Sequence, residues 1–323
     1  NPLSRQGAAV TLTIDRQLQY VTEKALVKAV DDAKAVAGMA VVLDPKTGEI
    51  LALANAPRFN PNAPQGVTAD VFRNRAVTDA FEPGSTFKAF VIARALEDGV
   101  ITPASTFDCE KGHMAIGRHV IHDTHPSGML DVKGILQVSS NICAAKVGQK
   151  LGRERLVENY QQFGFAERSG LGLPGEAKGV IPFPRAEISL ATQSFGQGLT
   201  ASPLQAAAAF GALANRGVLM KPYLVSKVVD SDGLVLLDNK PTEVRRVVSE
   251  RTARTVADML ERVVEQCGTA PKARMDAYRV AGKTGTAQKA DPVARGYSDK
   301  HFASFIGMVP AEDPRVVIGI FSD

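Results

Sequence analysis

The chain is 323 residues long and 45% hydrophobic, enough to bury a large core as one big domain or two ordinary ones, and its Gly and Pro usage excludes collagen-like and disordered classes. Its formal net charge of +4 comes from 38 basic and 34 acidic residues with no run of like charge, so no nucleic-acid partner is indicated. The 3 cysteines, Cys109, Cys143 and Cys267, lie far apart and are odd in number, which does not suggest a secreted disulfide framework and reads instead as small apolar fillers.

Asp15 stands where an N-cap belongs, and Leu18, Val21, Ala25, Leu26 and Ala29 follow at helical spacing, which predicts an amphipathic helix over residues 15 to 33. Residues 38 to 43 and 50 to 54 are short apolar runs separated by Asp44-Pro45-Lys46-Thr47-Gly48, a hairpin with Gly in the left-handed position. Residues 55 to 80 are rich in Pro and Asn and read as a loop. Pro83-Gly84 then interrupt the chain immediately before Ser85, after which Phe87, Phe90, Val91, Ala93, Leu96 and Val100 continue in helical period, so Ser85 sits at or near a helix N-terminus. Residues 104 to 130 follow no clear period, and 131 to 151 read as one helix ending near Gly152. Thr200-Ala201-Ser202-Pro203 starts a buried, Ala-rich helix over 204 to 214. Residues 223 to 237 read as a hairpin around Ser231-Asp232-Gly233, Ser249 caps a helix to about Gln266, and 279 to 323 alternates like strands around one long loop. One sheet built from both ends of the chain around a helical insertion follows, an α/β domain with an all-α part.

The sharpest chemical signal is Ser85-Thr86-Phe87-Lys88, because positions i and i+3 share a helix face and bring a hydroxyl within reach of an amine. Serine needs a base at neutral pH, and a lysine serves when burial or a neighbouring cation lowers its pKa. The free N–H groups at the helix start favour an oxyanion. Alone, the pattern is common on solvated helices. It is followed in order by Ser139-Ser140-Asn141 and by Lys283-Thr284-Gly285-Thr286, either of which by itself would read as a cap or turn. Their joint occurrence is what chance does not readily produce. The same ordered set, with Asp where Ser140 stands, marks serine β-lactamases and penicillin-binding proteins.

Together with Arg73-Asn74-Arg75-Ala76-Val77-Thr78-Asp79, Phe81-Glu82-Pro83-Gly84, Thr11-Leu12-Thr13-Ile14-Asp15, Leu43-Asp44-Pro45-Lys46-Thr47-Gly48-Glu49 and Gly196-Gln197-Gly198, these motifs resemble class B penicillin-binding proteins, and the septal, division-specific transpeptidases in particular. The resemblance covers nearly the whole chain. It implies the penicillin-binding protein and serine β-lactamase fold, an antiparallel sheet flanked by helices with an all-α subdomain, with sheet from about 1–80 and 220–323 and helices in about 81–219. It further implies Ser85 as the nucleophile on the penultimate D-Ala carbonyl of a stem peptide, Lys88 as its base, Ser139 as a proton relay and Asn141 as orienter of Lys88 and substrate. Lys283 would hold positive charge near Ser139, Thr284 and Thr286 with Gly285 would bind the donor carboxylate, and the N–H groups of Ser85 and Thr286 would form the oxyanion hole. The implied partners are D-Ala-D-Ala stem peptides, β-lactams as covalent inhibitors, and divisome and glycosyltransferase proteins, on the periplasmic or outer face of the cytoplasmic membrane. No cofactor or metal is expected. No apolar run reaches the roughly 18 residues of a membrane span, and Asn1-Pro2-Leu3-Ser4-Arg5 lacks a signal-peptide pattern, so the chain as it stands reads as soluble. The family's amino-terminal anchor and non-catalytic module, and a helix after the last strand, are not found in these residues.

Several features invite other readings. Cys109, His113, His119, His122 and His125 crowd together without zinc-ligand spacing and read as a polar loop or hairpin over the cleft, with Asp123, Thr124, His125 and Gly128 in its turns and His125 a candidate substrate contact. Tyr297 and His301 fall in a loop beyond the Lys283 strand, with surface exposure the plain reading, Cys143 falls in core, and Gly196-Gln197-Gly198 is a close backbone turn. The rivals are a serine β-lactamase or D,D-carboxypeptidase, and a β-lactam sensor or inactive scaffold. No Glu-x-x-x-Asn element of class A enzymes is evident, and the absence of Trp removes a motif expected of class D.

Overall fold

The computed structural model describes residues 7–63, 68–291 and 296–323. Strand β1 (Ala9–Leu12) leads into α1 (Arg16–Ala33) and the hairpin β2 (Gly38–Leu43) and β3 (Ile50–Ala56). The short α2 (Arg75–Thr78) precedes a 3-10 turn, Gly84–Phe87, that runs directly into α3 (Lys88–Glu97). Four short strands follow, β4 (Thr106–Asp108), β5 (His113–Ile116), β6 (His119–His122) and β7 (Met129–Asp131). Helices α4 (Val132–Val138), α5 (Asn141–Leu151), α6 (Arg153–Gln162), α7 (Glu187–Gln193) and α8 (Pro203–Ala214) come next. Then come β8 (Val218–Met220), β9 (Val225–Val229), β10 (Val235–Asp238), β11 (Glu243–Arg246), α9 (Glu250–Leu260) and the strands β12 (Ala281–Asp291), β13 (Gly296–Val309) and β14 (Val316–Ser322).

An antiparallel sheet in the order β12-β13-β14-β2-β3 joins the two ends of the chain. Every residue of β2 is buried, which accounts for its unbroken apolar run. Met39, Val41 and Leu43 enter the main core, whereas Ala40 packs with Ala54 and Ala56 against Leu26 and Val30 of α1. Asp15 caps α1 through its carboxylate, which accepts from the backbone N–H groups of Gln17 and Leu18, both at 2.9 Å. On the other face α8 crosses β2 and β14, its start fixed by a capping box between Ser202 and Gln205.

Helix α3 runs through the middle of the helical part, with residues Lys88 to Ala95 all buried. Its aromatic side holds it there: Phe87 lies 4.4 Å from Phe165 between ring centroids, and Phe90 lies 4.7 Å from Phe163 and 5.3 Å from Phe210. The catalytic-type segment thus begins a helix that cannot tilt without disturbing that cluster.

The structure departs from the sequence expectations in five places. The expected helix over 131 to 151 is two helices, α4 and α5, because Ser139 takes φ +62° as the C-cap of the first and Ser140 caps the second. The long loop expected within 279 to 323 is replaced by the long hairpin β12–β13, with exposed His301 paired to Gln288. Residues 104 to 130, without period in the sequence, form two ribbons, β4 with β7 and β5 with β6. Cys109 and Cys143 form a disulfide and are not independent fillers. The α-helix capped by Ser249 also ends earlier, at Leu260, before a 3-10 turn. The start Asn1 to Arg5 and the Tyr297 side chain lie outside the described residues.

Candidate active site

Ser85 sits in the 3-10 turn ahead of α3, pressed between two glycine contacts. Gly84, at φ +55°, donates its N–H to Gly196 O at 3.0 Å. Gly196 has φ +83°, and a Cβ there would lie 2.1 Å from Gly84 O, so the expected close backbone turn at Gly196-Gln197-Gly198 is one that a side chain could not occupy. On the opposite side β12 passes equally close, because a Cβ on Gly285 would lie 2.7 Å from Pro83 O. The Ser85 turn is therefore fixed against the free edge of the sheet.

Lys88 is fully buried one turn on from Ser85. Its Nζ donates to Ser139 O at 2.5 Å, Asn141 Oδ1 at 2.8 Å and Ser139 Oγ at 3.2 Å. Lys283, also fully buried, donates to the same Ser139 Oγ at 2.9 Å and to Thr284 O at 3.2 Å. Ser139 is thus the meeting point of two amines, a position it reaches only because the helix breaks there into the left-handed region. With both lone pairs of its hydroxyl engaged, its own proton is directed to some other acceptor. Ser85, half-buried, has no hydrogen-bond partner for its Oγ among the described residues, so the structure brings Lys88 to Ser139 and Asn141 and not to the serine hydroxyl.

Burial lowers the Lys88 pKa well below the ordinary lysine value, the charge of Lys283 lowers it further, and Asp123 opposes the change. Burial likewise lowers Lys283 to about 7. Both amines therefore lose protons far more readily than a solvated lysine, which is what a base for a serine hydroxyl requires.

Asp123 was legible in the sequence only as a turn residue. Its carboxylate accepts from Ser140 Oγ at 2.5 Å, Asn141 N at 2.5 Å and Ile142 N at 3.1 Å, and so caps α5 from outside. Asn141 Nδ2 donates to His122 O at 2.9 Å, which fixes the amide with its oxygen toward Lys88. Thr269 was also missed; its hydroxyl meets that of Thr284 at 2.7 Å. No spacing rule relates either residue to the motifs it touches.

Along β12 the side chains alternate. Lys283, Gly285 and Ala287 are buried, while Thr284 is half-buried and Thr286 exposed. As the edge strand, β12 presents Thr284 and Thr286 together with unpaired backbone groups. The histidines do not converge in this way. His113 and His122 face each other across the β5–β6 ribbon with ring centroids 5.0 Å apart, His119 and His125 are exposed, and the Cys109 sulfur is taken by its disulfide.

Comparison with known proteins bears on the family and the fold. Residues 38–323 match the family described as "Penicillin binding protein transpeptidase domain". The chain is 39% identical over 317 residues to a probable peptidoglycan D,D-transpeptidase PbpC of Pseudomonas aeruginosa, covering 97% of this chain and 54% of that protein. It is 37% identical over 317 residues to the peptidoglycan D,D-transpeptidase FtsI of Escherichia coli K12, covering 98% of this chain and 52% of that one. Among solved structures, penicillin-binding protein 3 of Mycobacterium tuberculosis complexed with aztreonam superposes with a TM-score of 0.92 at 36% identity, covering 99% of this chain and 73% of that one. The chain spans about half the length of the curated relatives it matches. On its sequence, its fold and the convergence of its three motifs, the chain belongs to the penicillin-binding protein transpeptidase domain family.

Proposed function

We propose that residues 1–323 are one acyl-transferring domain of a peptidoglycan D,D-transpeptidase of the septal type, with Ser85 as nucleophile. The observation that carries this reading is that Lys88, Ser139, Asn141 and Lys283, drawn from three distant parts of the chain, share one hydrogen-bond network beside Ser85. In the first step Ser85 Oγ bonds to the carbonyl carbon of the penultimate D-Ala while neutral Lys88 takes its proton. The tetrahedral oxyanion lies against the N–H groups of Ser85 and Thr286. Its collapse breaks the C–N bond, and Ser139, bridging both amines, delivers a proton to the departing D-Ala. The amine of a second stem then attacks the ester by the reverse proton path. Thr284 and Thr286, on the open edge of β12, hold the donor carboxylate beside Lys283.

A β-lactam enters by the same first step, and its ring-opened leaving group stays attached. Asp123 is occupied in holding the start of α5, which favours a long-lived acyl-enzyme over activation of a deacylating water. The partners are stem peptides and, in the whole protein, divisome and glycosyltransferase proteins. The location is the outer face of the cytoplasmic membrane, supported by a buried disulfide, since such bonds persist in oxidising compartments. Among the described residues no helix is long and apolar enough to cross a membrane.

The test is intact-mass spectrometry after incubation with benzylpenicillin, followed by peptide mapping. A persistent one-to-one adduct on Ser85, absent from a folded Ser85→Ala variant, is expected. An adduct elsewhere would overturn the assignment, and rapid loss with drug hydrolysis would identify a β-lactamase.

A further inference from the structure

The segment between α3 and α4 lies as a strap over the start of α5, where Asn141 meets Lys88. The strap is fastened there in several ways. Cys109 stands where its ribbons meet, its N–H donating to Gly128 O at 2.9 Å, and its sulfur is bonded to Cys143 on the first turn of α5, with Cα atoms 5.2 Å apart. Just beyond, His122 O and the Asp123 carboxylate receive the side-chain and backbone N–H groups of Asn141. Lys146, one turn further along α5, donates to Asp108 O at 2.6 Å.

These contacts are not equivalent. The hydrogen bonds that orient Asn141 come from the base of the β5–β6 ribbon, where Asp123 N donates to Gly112 O at 3.1 Å and Gly112 N to Cys109 O at 2.9 Å, and the covalent bond ties that same base to the same helix turn. With the bond in place, the strap and the catalytic amide move as one body. Without it, Phe107, Met114 and Ile121 still anchor the strap in the core, but the contacts that orient Asn141 are exposed or half-buried polar ones that water can replace.

We propose that the Cys109–Cys143 disulfide is a positioning device for acylation, holding Asn141, and through it Lys88, in register with Ser85, so that the domain becomes competent only after a thiol-oxidation step. This rests on the transpeptidase reading above. In that step the two thiols lose two protons and two electrons as the S–S bond forms. The S–S bond of a disulfide-bearing oxidant breaks and takes up both, leaving as a dithiol. Both cysteines are fully buried, so the bond must be made before or during closure of the core and is shielded from thiols afterwards. The remaining cysteine, Cys267, is exposed and takes no part.

The groups tied to the strap act in proton transfer, while Thr284 and Thr286 on β12 are not tied to it. Loss of the bond should therefore lower the acylation rate constant and spare the initial non-covalent affinity. The test compares the whole chain made in a reducing cytoplasm with the same chain oxidised by glutathione disulfide, and with a Cys109→Ala/Cys143→Ala variant. Circular dichroism establishes folding at the assay temperature, and alkylation with mass spectrometry counts free thiols. A fluorescent penicillin separates binding from acylation in stopped flow.

The oxidised chain should show one alkylatable thiol, and the reduced chain all 3. The folded reduced chain and the double variant should acylate roughly 10- to 100-fold more slowly, with affinity within about twofold, and reoxidation of the reduced chain should restore the rate. Equal acylation rates in folded oxidised and reduced samples would overturn the proposal. So would a loss confined to affinity, or failure of both unoxidised forms to fold, which would make the bond a folding requirement alone. If the oxidised chain itself takes no adduct on Ser85, the transpeptidase reading fails instead. Cys267→Ala should match the wild type throughout.

Discussion

Replacing Lys283 by methionine removes a fully buried amine and keeps an unbranched side chain to fill its space. Burial lowers this amine from 10.5 to about 7 in the folded chain. The unfolded chain restores the higher value, so between the two points the unfolded state binds the extra proton and stability rises with pH. The desolvation cost is fully present below about 7 and is relieved as pH approaches 10.5. At about 1.36 kcal/mol for each pH unit of difference, the wild type should gain roughly 3 kcal/mol relative to Lys283→Met between about pH 6.5 and about pH 9.5. Lys88 adds to the change with the same sign, because the Lys283 charge helps to lower its pKa and the variant removes that charge. Equilibrium unfolding in urea at a series of pH values, with matching m-values, measures the difference directly. Methionine cannot donate to Ser139, so penicillin acylation should be lost in the same protein. A stability difference that stays flat across this range would refute the reasoning, since it would mean that Lys283 keeps its proton in the folded chain.

Asp123→Asn keeps acceptors for the start of α5 but removes the charge that raises the Lys88 pKa, so the acid limb of the acylation profile should move to lower pH while the plateau falls; an unmoved limb would reduce Asp123 to a structural role. Gly196→Ala puts a Cβ 2.1 Å from Gly84 O at a φ of +83°, and should cost about 1–3 kcal/mol and most penicillin labelling; wild-type labelling at an unchanged melting temperature would contradict this. Tyr160→Phe removes a buried hydroxyl that donates to Gln193 O at 2.6 Å, and should lower stability by about 1–2 kcal/mol in denaturant titration while leaving the acylation rate as it was.

What could be read in advance was whatever has a local physical signature. Asp15 before an apolar period, the continuous run of β2 and Ser202-Pro203 ahead of an Ala-rich stretch each impose their own element, and each is present. The motif residues could be named because their chemistry and order are distinctive, although nothing local places Lys283 beside Ser139. The break at Ser139 was hidden because Val132 to Val138 and Asn141 to Leu151 carry one nearly continuous helical pattern, and serine is an ordinary helix residue until its φ turns positive. The disulfide was hidden for a related reason. An odd set of distant cysteines has no preferred pairing, and only the fold of the strap carries Cys109 to α5.

The same break explains how two lysines can share one hydroxyl. Lys88 donates to three oxygens in the described geometry, which uses all the protons of an ammonium and leaves no lone pair for Ser85. To act as a base it must first surrender one, and the nearest group able to compensate the change in charge is Lys283, joined to it through Ser139 Oγ. Because burial brings Lys283 to about 7, its protonation is adjustable near neutrality. A loss of charge at Lys88 can then be met by a gain at Lys283, with Ser139 between them as the only hydroxyl touching both among the described residues. Had Ser139 remained helical, its hydroxyl would have stayed on the α4 surface and the two amines would have had no common partner, so a single left-handed residue couples Lys88 to Lys283 on β12.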